Sequence, residues 1–376
     1  MDAQNQSSAP KITKESKNKI RVDFERTPLK DRLKAKFVNF YFISNVIVKL
    51  FRLIFLLGIA YIVLYPFFTK IAGSFMAPED FVDVTVRLIP KNFTFDIYKA
   101  IFTDLHYMDA FKNTFLLSLV CAILQTFACS LIAYGLSRYK FKGNKLIFFL
   151  VILTMLVPHK TLRLSMFMKF RYFDVFGILS FLSGGASIGN SGINEVLSKI
   201  AIFNPNSTSE IIANIATEHS MNLTNTFVPM VLLSITGLGF KNGLYIFMLR
   251  QFFNGIPEAL EESAYIDGSG NFRTFIQIIL PMSVPMLITV FLFAFCWQWT
   301  DSFYTNLFFT KTDFRLLPKI VGIPTSLKTD YAGQNLYYAA IRNTCGIMII
   351  LPLVIIYVFL QRYLVEGIER SGLTAE

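Results

Sequence analysis

Few side chains in this sequence are arranged for catalysis or for metal binding. Its four cysteines and three histidines lie apart in the chain, without the short spacings of a zinc or redox site. The phosphate-binding pattern G-x4-G-K-[ST] is absent from the sequence. We therefore expect a chain that is not an enzyme, has no metal or cofactor of its own, and uses its cysteines as small buried apolar residues.

Polar residues that interrupt apolar stretches are better candidates for function. Lys241 precedes Arg250 by nine residues, or about 14 Å along a helix. Three glycines surround it within Gly237–Gly243, which predicts a broken helix that needs protein or water around it. Lys241 and Asn242 are therefore predicted to line a path for a polar solute. The alternatives for Lys241 are a side chain that reaches the lipid headgroups or pairs with a neighbouring subunit.

Two further groups of residues are candidates for the same path. The third apolar stretch is too short to cross a bilayer without Lys160 and Arg163, which share a helical face. They either line an outer vestibule or reach the outer headgroups. Gln298, Trp299 and Asp301 place an aromatic ring beside polar groups, a combination that suits the hydroxyls and C–H faces of a sugar. An interfacial aromatic belt would explain the same residues.

The segment that follows Pro257 has the pattern of a helix–turn–helix. Glu258 to Tyr265 is a strong helix former with acidic residues in its first turn. Asp267-Gly268 predicts a break, because glycine tolerates a left-handed conformation. A second amphipathic stretch follows and ends at Pro281. Small residues at the turn would let another protein approach the backbone closely, although an ordinary amphipathic connector has the same pattern.

The elements that carry these residues are predicted to be membrane spans. The 376-residue chain is 53% hydrophobic and only 16% charged, with a net charge of +11 and a mean hydropathy of +0.50, which argues against a soluble enzyme, a disordered chain or a nucleic-acid binder. Uncharged stretches predict an all-α protein with six transmembrane helices. These stretches are residues 53–69, 113–137, 146–159, 219–240, 274–300 and 343–361.

The distribution of charge predicts the orientation of the spans. The basic tail at 1–46 and the basic loop at 138–145 are expected in the cytosol, and the acidic loop at 77–110 outside, so that both termini lie inside. The basic residues near 160–171 disagree with this topology. The polar segment 183–225 is interpreted as an extracytosolic insertion.

The segment 254–281 resembles the cytosolic coupling loop of ABC-importer permeases, E-A-A-x3-G-x9-I-x-L-P. Glu262, Ser263 and Ala264 occupy the E-A-A positions, with a serine in place of the middle alanine. The remaining matches are Gly268, Ile278, Leu280 and Pro281, and Glu258 and Asp267 are further candidates for contact with the ATPase. Met248–Phe253, Trp297–Asp301 and Gln361–Ile368 also resemble the smaller permease of maltose-type carbohydrate importers. The resemblance covers residues 47–376, apart from the insertion.

This resemblance implies a type I ABC-importer permease in a bacterial inner membrane. Such a subunit imports a sugar or oligosaccharide together with a second, homologous permease, an ATPase dimer that binds the ATP, and an extracytosolic sugar-binding protein. The coupling loop would dock in a cleft on one ATPase subunit. A permease for a non-sugar solute is the nearest alternative. A secondary transporter would need internal repeats, and a membrane-embedded enzyme would need a catalytic constellation; neither is evident in the sequence.

Overall fold

The structure of the chain is a computed structural model that describes residues 40–174, 222–239, 241–311, 314–328 and 333–370. Within these ranges the regular elements are helices, as the sequence predicts. In chain order they are α1 (Phe40–Gly73), α2 (Asp96–Thr103), α3 (Tyr107–Arg138), α4 (Asn144–Leu156), α5 (Arg163–Arg171), α6 (Val228–Ile235), α7 (Asn242–Asn254), α8 (Ala259–Ile266), α9 (Asn271–Met282), α10 (Val284–Trp299), α11 (Phe303–Phe308) and α12 (Gln334–Arg370). Four short 3-10 turns accompany them, at Pro78–Phe81, His159–Leu162, Leu317–Lys319 and Thr325–Leu327.

The chain divides into two compact units, Met1–Phe68 and Thr69–Glu376. The described part of the first unit is the N-terminal portion of α1. From Leu53 to Phe68 its side chains are apolar on every face and exposed, and Phe51 stacks on Phe55 with ring centroids 6.2 Å apart. A helix that is hydrophobic all round is typical of a membrane span. The predicted tail at 1–46 and the insertion at 183–225 lie mostly outside the described residues.

The described residues contain three single helices that are long and apolar enough to cross a membrane, or up to five spans if each of two bent pairs counts as one. The bent pairs are α4 with the segment His159–Arg171, at 89°, and α9 with α10, at 81°. The predicted fourth span is divided between α6 and α7, because the chain leaves the helix at Thr236 and resumes it at Asn242. The glycines around Lys241 predict this interruption. The count of six spans stays a prediction.

The third predicted span is not a straight helix that continues through Lys160 and Arg163. α4 ends at Leu156, and Pro158, which has no N–H to donate, precedes the 3-10 turn His159–Leu162. The helix axis bends by 89° between α4 and the segment His159–Arg171, which contains this 3-10 turn and α5. Lys160 therefore lies in the turn and Arg163 at the start of the next helix, and both side chains are exposed. Both residues lie on the same side of the bend, in the segment His159–Arg171, and their place along a solute path stays a prediction.

α3 lies at the centre of the second unit, where it packs against α6, α7 and α10, and α10 packs in turn on α12. Hydrogen bonds reinforce this core beside a proline inside α12. Pro352 of α12 cannot donate to the carbonyl of Met348, four residues earlier, and the hydroxyl of Tyr107 donates to that carbonyl at 2.9 Å. The indole N–H of Trp299 donates to the neighbouring carbonyl of Ile349 at 3.0 Å. These bonds provide partners for buried polar groups, whose burial without a hydrogen bond would lower the free energy of unfolding.

The loop between α1 and α2 is organised around one buried carboxylate. The side chain of Asp80 is 3% exposed and accepts hydrogen bonds from the backbone N–H of Lys91 at 3.0 Å and of Asn92 at 2.9 Å. The side-chain amide of Asn92 donates to the same carboxylate at 2.8 Å. A buried carboxylate is stable only when it is paired or hydrogen-bonded in this way. Asp80 therefore holds the two ends of the loop together.

Replacement of Asp80 by Ala should unfold this loop at lower temperature. Three donors would lose their acceptor, and an unsatisfied buried group costs about 1–3 kcal/mol. The measurement is the midpoint of thermal unfolding of the purified chain in detergent, with Asp96→Ala as the control because the Asp96 side chain is 63% exposed. Equal midpoints for the two variants would contradict the structural role of Asp80.

Candidate functional site

The segment that carries the coupling-loop pattern folds as the predicted helix–turn–helix. α8 ends in a Schellman motif, in which Gly268 has φ +80° and donates its N–H to the carbonyl of Tyr265 at 3.0 Å. The N–H of Ser269 donates to the carbonyl of Ala264 at 2.9 Å. This C-terminal cap places a glycine in the left-handed conformation. α9 follows and contains a π-helical stretch at Phe275–Ile279 before the bend into α10.

α8 presents a mixed polar and apolar surface to the outside. The exposed polar residues predicted to contact the ATPase are Glu258, Glu262, Ser263 and Asp267. Two large apolar side chains near them are also exposed, Ile266 at 86% and Phe272 at 65%. Exposed apolar residues that are grouped with polar ones are typical of a protein-binding surface.

The other members of the pattern have structural positions. Ala264 is buried at 6% exposure, and Leu280 is half-buried against the core. Pro281 is exposed and lies at the end of α9, just before the bend into α10. The pattern thus combines residues on the surface of α8 with residues that fix its place against the rest of the protein.

A buried ion pair joins α8 to the end of α3. The guanidinium Nε of Arg138 lies 2.6 Å from Oε1 of Glu261, and both side chains are less than a tenth exposed, at 8% and 7%. The hydroxyl of Tyr134 donates to Oε2 of the same carboxylate at 3.1 Å. Arg138 also donates to the carbonyl of Ile256 at 2.8 Å. The carboxylate and the guanidinium therefore both have partners, which a buried charge requires.

Sequence reasoning missed this pair. Arg138 was expected in the basic cytosolic loop, and Glu261 precedes the E-A-A positions rather than occupying them. No spacing in the sequence links the two residues, because they meet only when α3 and α8 pack. Nearby, the hydroxyl of Ser137 donates to the side chain of Asn254 at 2.6 Å, and Arg250 donates to the carbonyl of Leu136 at 3.3 Å. The end of α3 is thus attached to α7 as well as to α8.

A second candidate site lies at the break between α6 and α7. Gly237 has φ +74° and Lys241 has φ +68°, so both residues have the left-handed conformation. The ammonium of Lys241 lies 5.0 Å from the centre of the Trp297 ring, within the range of a cation–π interaction. A cavity of about 150 Å³ lies beside the break, and Lys241 and His159 are among its lining residues.

Asn242 begins α7 directly after this break. Its side chain is fully buried, at 0% exposure, and neither amide atom has a hydrogen-bond partner within the described ranges. Buried polar atoms normally have partners, so an exception calls for an explanation. Gly243, the next residue, packs against α4 so closely that a Cβ atom would lie 2.8 Å from Oγ1 of Thr154.

The residues predicted near the end of α10 divide between two environments. Gln298 and Asp301 line a narrow crevice together with Tyr245 and Trp297. Trp299 lies instead in the core at 0% exposure, in edge-to-face contact with Phe111 at 5.5 Å. Residues two apart on a helix are related by a rotation of about 200° about the helix axis. Only one of Trp297 and Trp299 can therefore face the crevice. The structure places Trp297 there, which corrects the expectation for Trp299.

Asp301 stabilises the start of α11, whereas Lys160 lies at the surface. The carboxylate of Asp301 accepts the backbone N–H of Phe303 at 3.2 Å and of Thr305 at 3.1 Å, and so caps α11. Lys160 and Arg163 are exposed, and His159, beside Lys160, reaches the hydroxyl of Tyr304 at 3.5 Å. Among the described residues no cluster of three or more His, Cys, Asp or Glu side chains has the arrangement of a metal site.

Known proteins resemble this chain in sequence and in fold. Residues 127–370 match the family model described as "Binding-protein-dependent transport system inner membrane component". The polygalacturonan/rhamnogalacturonan transport system permease protein of Bacillus subtilis is 27% identical over 83% of this chain and 93% of its own length. The arabinooligosaccharides permease protein AraQ of Halalkalibacterium halodurans is 25% identical over 84% and 92%. The maltodextrin permease protein MalD of Streptococcus pneumoniae is 24% identical over 85% and 93%.

A solved structure has the same fold. The bacterial ABC transporter involved in the import of the acidic polysaccharide alginate includes a chain that aligns with a TM-score of 0.57 and 17% identity, over 85% of this chain and 97% of that one. The sequence match covers well over half of the chain and includes both candidate sites. The protein is accordingly a multi-pass component of the inner membrane, and it belongs to the family of binding-protein-dependent transport system inner membrane components.

Proposed function

We propose that this chain is the transmembrane permease subunit of an ATP-driven importer for a sugar or oligosaccharide, and that it has no catalytic activity of its own. The observation that carries the proposal is α8, a short helix with exposed apolar side chains that a buried ion pair joins to the central helix. A separate ATPase binds and hydrolyses ATP, and a solute-binding protein delivers the solute. The relevant contact is between the ATPase and the surface of α8.

The ion pair provides the mechanical step of the mechanism. Movement of the ATPase displaces α8, and the Arg138–Glu261 contact transfers that displacement to α3. α3 packs directly on α6 and α7, which form the break at Lys241. Motion of a packed element as a rigid body is an established way to couple distant sites. A displacement of α8 therefore changes the positions of α6 and α7 at the break between them.

The rest of the assembly follows from this docking. One α8 occupies one ATPase subunit, so an ATPase dimer has a second docking site, which we assign to a second, homologous permease. Both termini lie in the cytosol in this topology, with six spans and with the loop around Asp80 outside. The insertion at 183–225 then lies outside too and contacts the solute-binding protein.

The names of the relatives support a carbohydrate as the solute. They name polygalacturonan, arabinooligosaccharides and maltodextrin, which are all carbohydrates. Polygalacturonan is acidic and maltodextrin is uncharged, so these names agree on the chemical class of the solute and not on its charge. An ABC permease for a non-sugar solute is the alternative function.

Co-purification tests the proposed function directly. The full chain, expressed from its own genomic neighbourhood with an affinity tag, should bring down an ATPase and a second permease. ATP hydrolysis by this complex in nanodiscs should rise when the binding protein and an oligosaccharide are added. The absence of any ATPase from the purified complex would overturn the assignment, and stimulation by a non-sugar solute alone would favour the alternative.

Replacement of Ile266 by Glu should weaken the complex with the ATPase. Burial of a side chain of this size stabilises a contact by about 1.5–3 kcal/mol, which a charge would remove. The amount of ATPase recovered with the permease should therefore fall by roughly tenfold or more. Ile89→Glu is the matched control, because Ile89 is 83% exposed and lies in the loop predicted to be outside. Equal recovery with both variants would contradict docking on α8.

A further inference from the structure

A cavity of about 430 Å³ lies between the end of α1, the loop that follows it and the start of α12. Lys70 lines it from α1, Arg87 from the loop and Asn343 from α12. The ring centroids of Phe81 in the loop and Tyr337 in α12 are 5.7 Å apart, so the loop packs on α12 beside the cavity. The volume falls in the range of roughly 300–1,000 Å³ that is typical of small-molecule sites. The cavity therefore has room for the polar part of an amphipathic ligand.

This cavity lies where two predicted membrane spans end. The apolar stretch 53–69 is followed directly by Lys70, and the apolar stretch 343–361 begins with Asn343. Lys70 and Asn343 line the same cavity, so these two ends lie at a similar depth. The end of an apolar span marks the boundary between the hydrocarbon core of the bilayer and its headgroups. The cavity therefore lies at the level of the phospholipid headgroups.

The charged groups that line the cavity favour an anionic ligand. The carboxylate of Asp83 is paired with the ammonium of Lys91 at 3.2 Å, and three N–H donors hold the carboxylate of Asp80. The side chains of Lys70 and Arg87 are exposed, and neither forms an ion pair with the described residues. Both lining acids are thus already occupied by donors. A phosphate in the cavity would supply the acceptor that the two basic side chains lack.

The wall that α12 contributes is apolar. Leu336, Ala339 and Ala340 line the cavity from one face of the helix, three and four residues apart. The short side chains of the two alanines leave space there, and Leu336 is 59% exposed. A free inorganic anion would gain nothing from such a wall, whereas the glycerol and acyl groups of a lipid would bury apolar surface against it. The combination of basic and apolar sides therefore suits a phospholipid.

We propose that this cavity binds the headgroup of an anionic phospholipid, of the phosphatidylglycerol kind, at the membrane surface that the predicted topology places outside. Lys70 and Arg87 donate to the phosphate, and the acyl chains extend from the cavity into the bilayer. Asp80 positions Arg87, because it holds together the loop that carries this residue. Basic pockets between transmembrane helices are known to bind lipid headgroups. The inference depends on the membrane location of the chain and not on its solute.

Native mass spectrometry of the purified full chain in detergent tests the inference. The two probes are dioleoyl phosphatidylglycerol and dioleoyl phosphatidylcholine, which have the same acyl chains and differ in net charge. Each basic residue near an anionic headgroup contributes about a fivefold change in affinity. One molecule of phosphatidylglycerol should therefore bind roughly tenfold more tightly than phosphatidylcholine. Lys70→Gln combined with Arg87→Gln should remove that preference.

Lys99→Gln combined with Arg315→Gln is the matched control. It removes the same two positive charges from side chains that lie outside the cavity and near acidic partners, Asp96 at 4.0 Å and Asp109 at 3.8 Å. This control should keep the preference for phosphatidylglycerol. Lys70→Arg should keep it as well, because arginine also donates to a phosphate.

Three results would overturn the inference. The first is equal binding of the two lipids by the original chain, or a preference that survives the loss of both Lys70 and Arg87. The second is an equal loss of preference in the control, which would assign the effect to net charge alone. The third is displacement of phosphatidylglycerol by inorganic phosphate at equal concentration, which would identify a site for the free anion. The proposed transport function would stand in each case, since co-purification with the ATPase tests it separately.

Discussion

Replacement of Arg138 by Met should be among the most destabilising single changes in this protein. It would leave the carboxylate of Glu261 buried at 7% exposure with the hydroxyl of Tyr134 but without its cation. Removal of one partner of a buried ion pair costs about 3–5 kcal/mol. The variant should also lose stimulation of ATP hydrolysis by the solute, because α8 would no longer be attached to α3.

A double variant separates these two effects. Arg138→Met together with Glu261→Met removes both charges, and apolar replacement of a buried pair is often neutral for stability. The midpoint of thermal unfolding should therefore recover in the double variant. Stimulated ATP hydrolysis should remain low, since packing alone does not fix the orientation of α8. Full recovery of both properties would show that the ion pair stabilises the fold without transmitting motion.

Arg342→Met is the matched control for this experiment, since Arg342 is an exposed arginine on α12. Its thermal midpoint and its stimulated ATP hydrolysis should equal those of the original chain. A fall as large as that of Arg138→Met would mean that loss of any arginine is harmful, which would contradict the specific role of the pair.

Replacement of Gly268 by Trp should abolish coupling while the permease stays folded. Gly268 has φ +80°, so any other residue there is strained by about 1–2 kcal/mol. Apart from Gly268 and its two neighbours in the chain, no atom of the described residues lies within 4 Å of a Cβ built on Gly268, so the indole would start from open space. It would meet the ATPase instead. We expect solute-stimulated ATP hydrolysis to fall by more than about tenfold, the effect of losing 1.4 kcal/mol or more of contact energy.

Gly268→Ala isolates the contribution of side-chain bulk. Alanine introduces the same backbone strain, but its methyl group occupies open space. Its thermal midpoint should match that of Gly268→Trp, whereas it should keep most of the stimulated ATP hydrolysis. If the two variants couple equally well, α8 does not dock closely at Gly268, and the contact with the ATPase has to be sought elsewhere.

Local chemistry was enough to predict much of this structure. The break at Gly268 follows from the conformational freedom of glycine, and the interruption near Lys241 follows from the glycines around it. The helical class and the membrane location follow from composition. Long apolar stretches lie in the bilayer, where the backbone N–H and C=O groups have to form hydrogen bonds with one another, as they do in a helix. The bend after Leu156 was not predicted, although Pro158 indicates it. The sequence analysis extended the third span through Lys160 because the apolar stretch is shorter than a full span.

The pairing of distant side chains needed the packed structure. Trp297 and Trp299 have the same type and nearly the same position in the chain, yet α3 and α12 cover one of them and leave the other to hold Lys241. Glu261 and Glu262 are adjacent acids, and rotation of about 100° along α8 buries one against Arg138 and exposes the other. The spacing of apolar residues along a helix predicts that it has a buried face and an exposed face. Which face meets a partner depends on helices that are remote in the sequence, and those contacts exist only after the chain has folded.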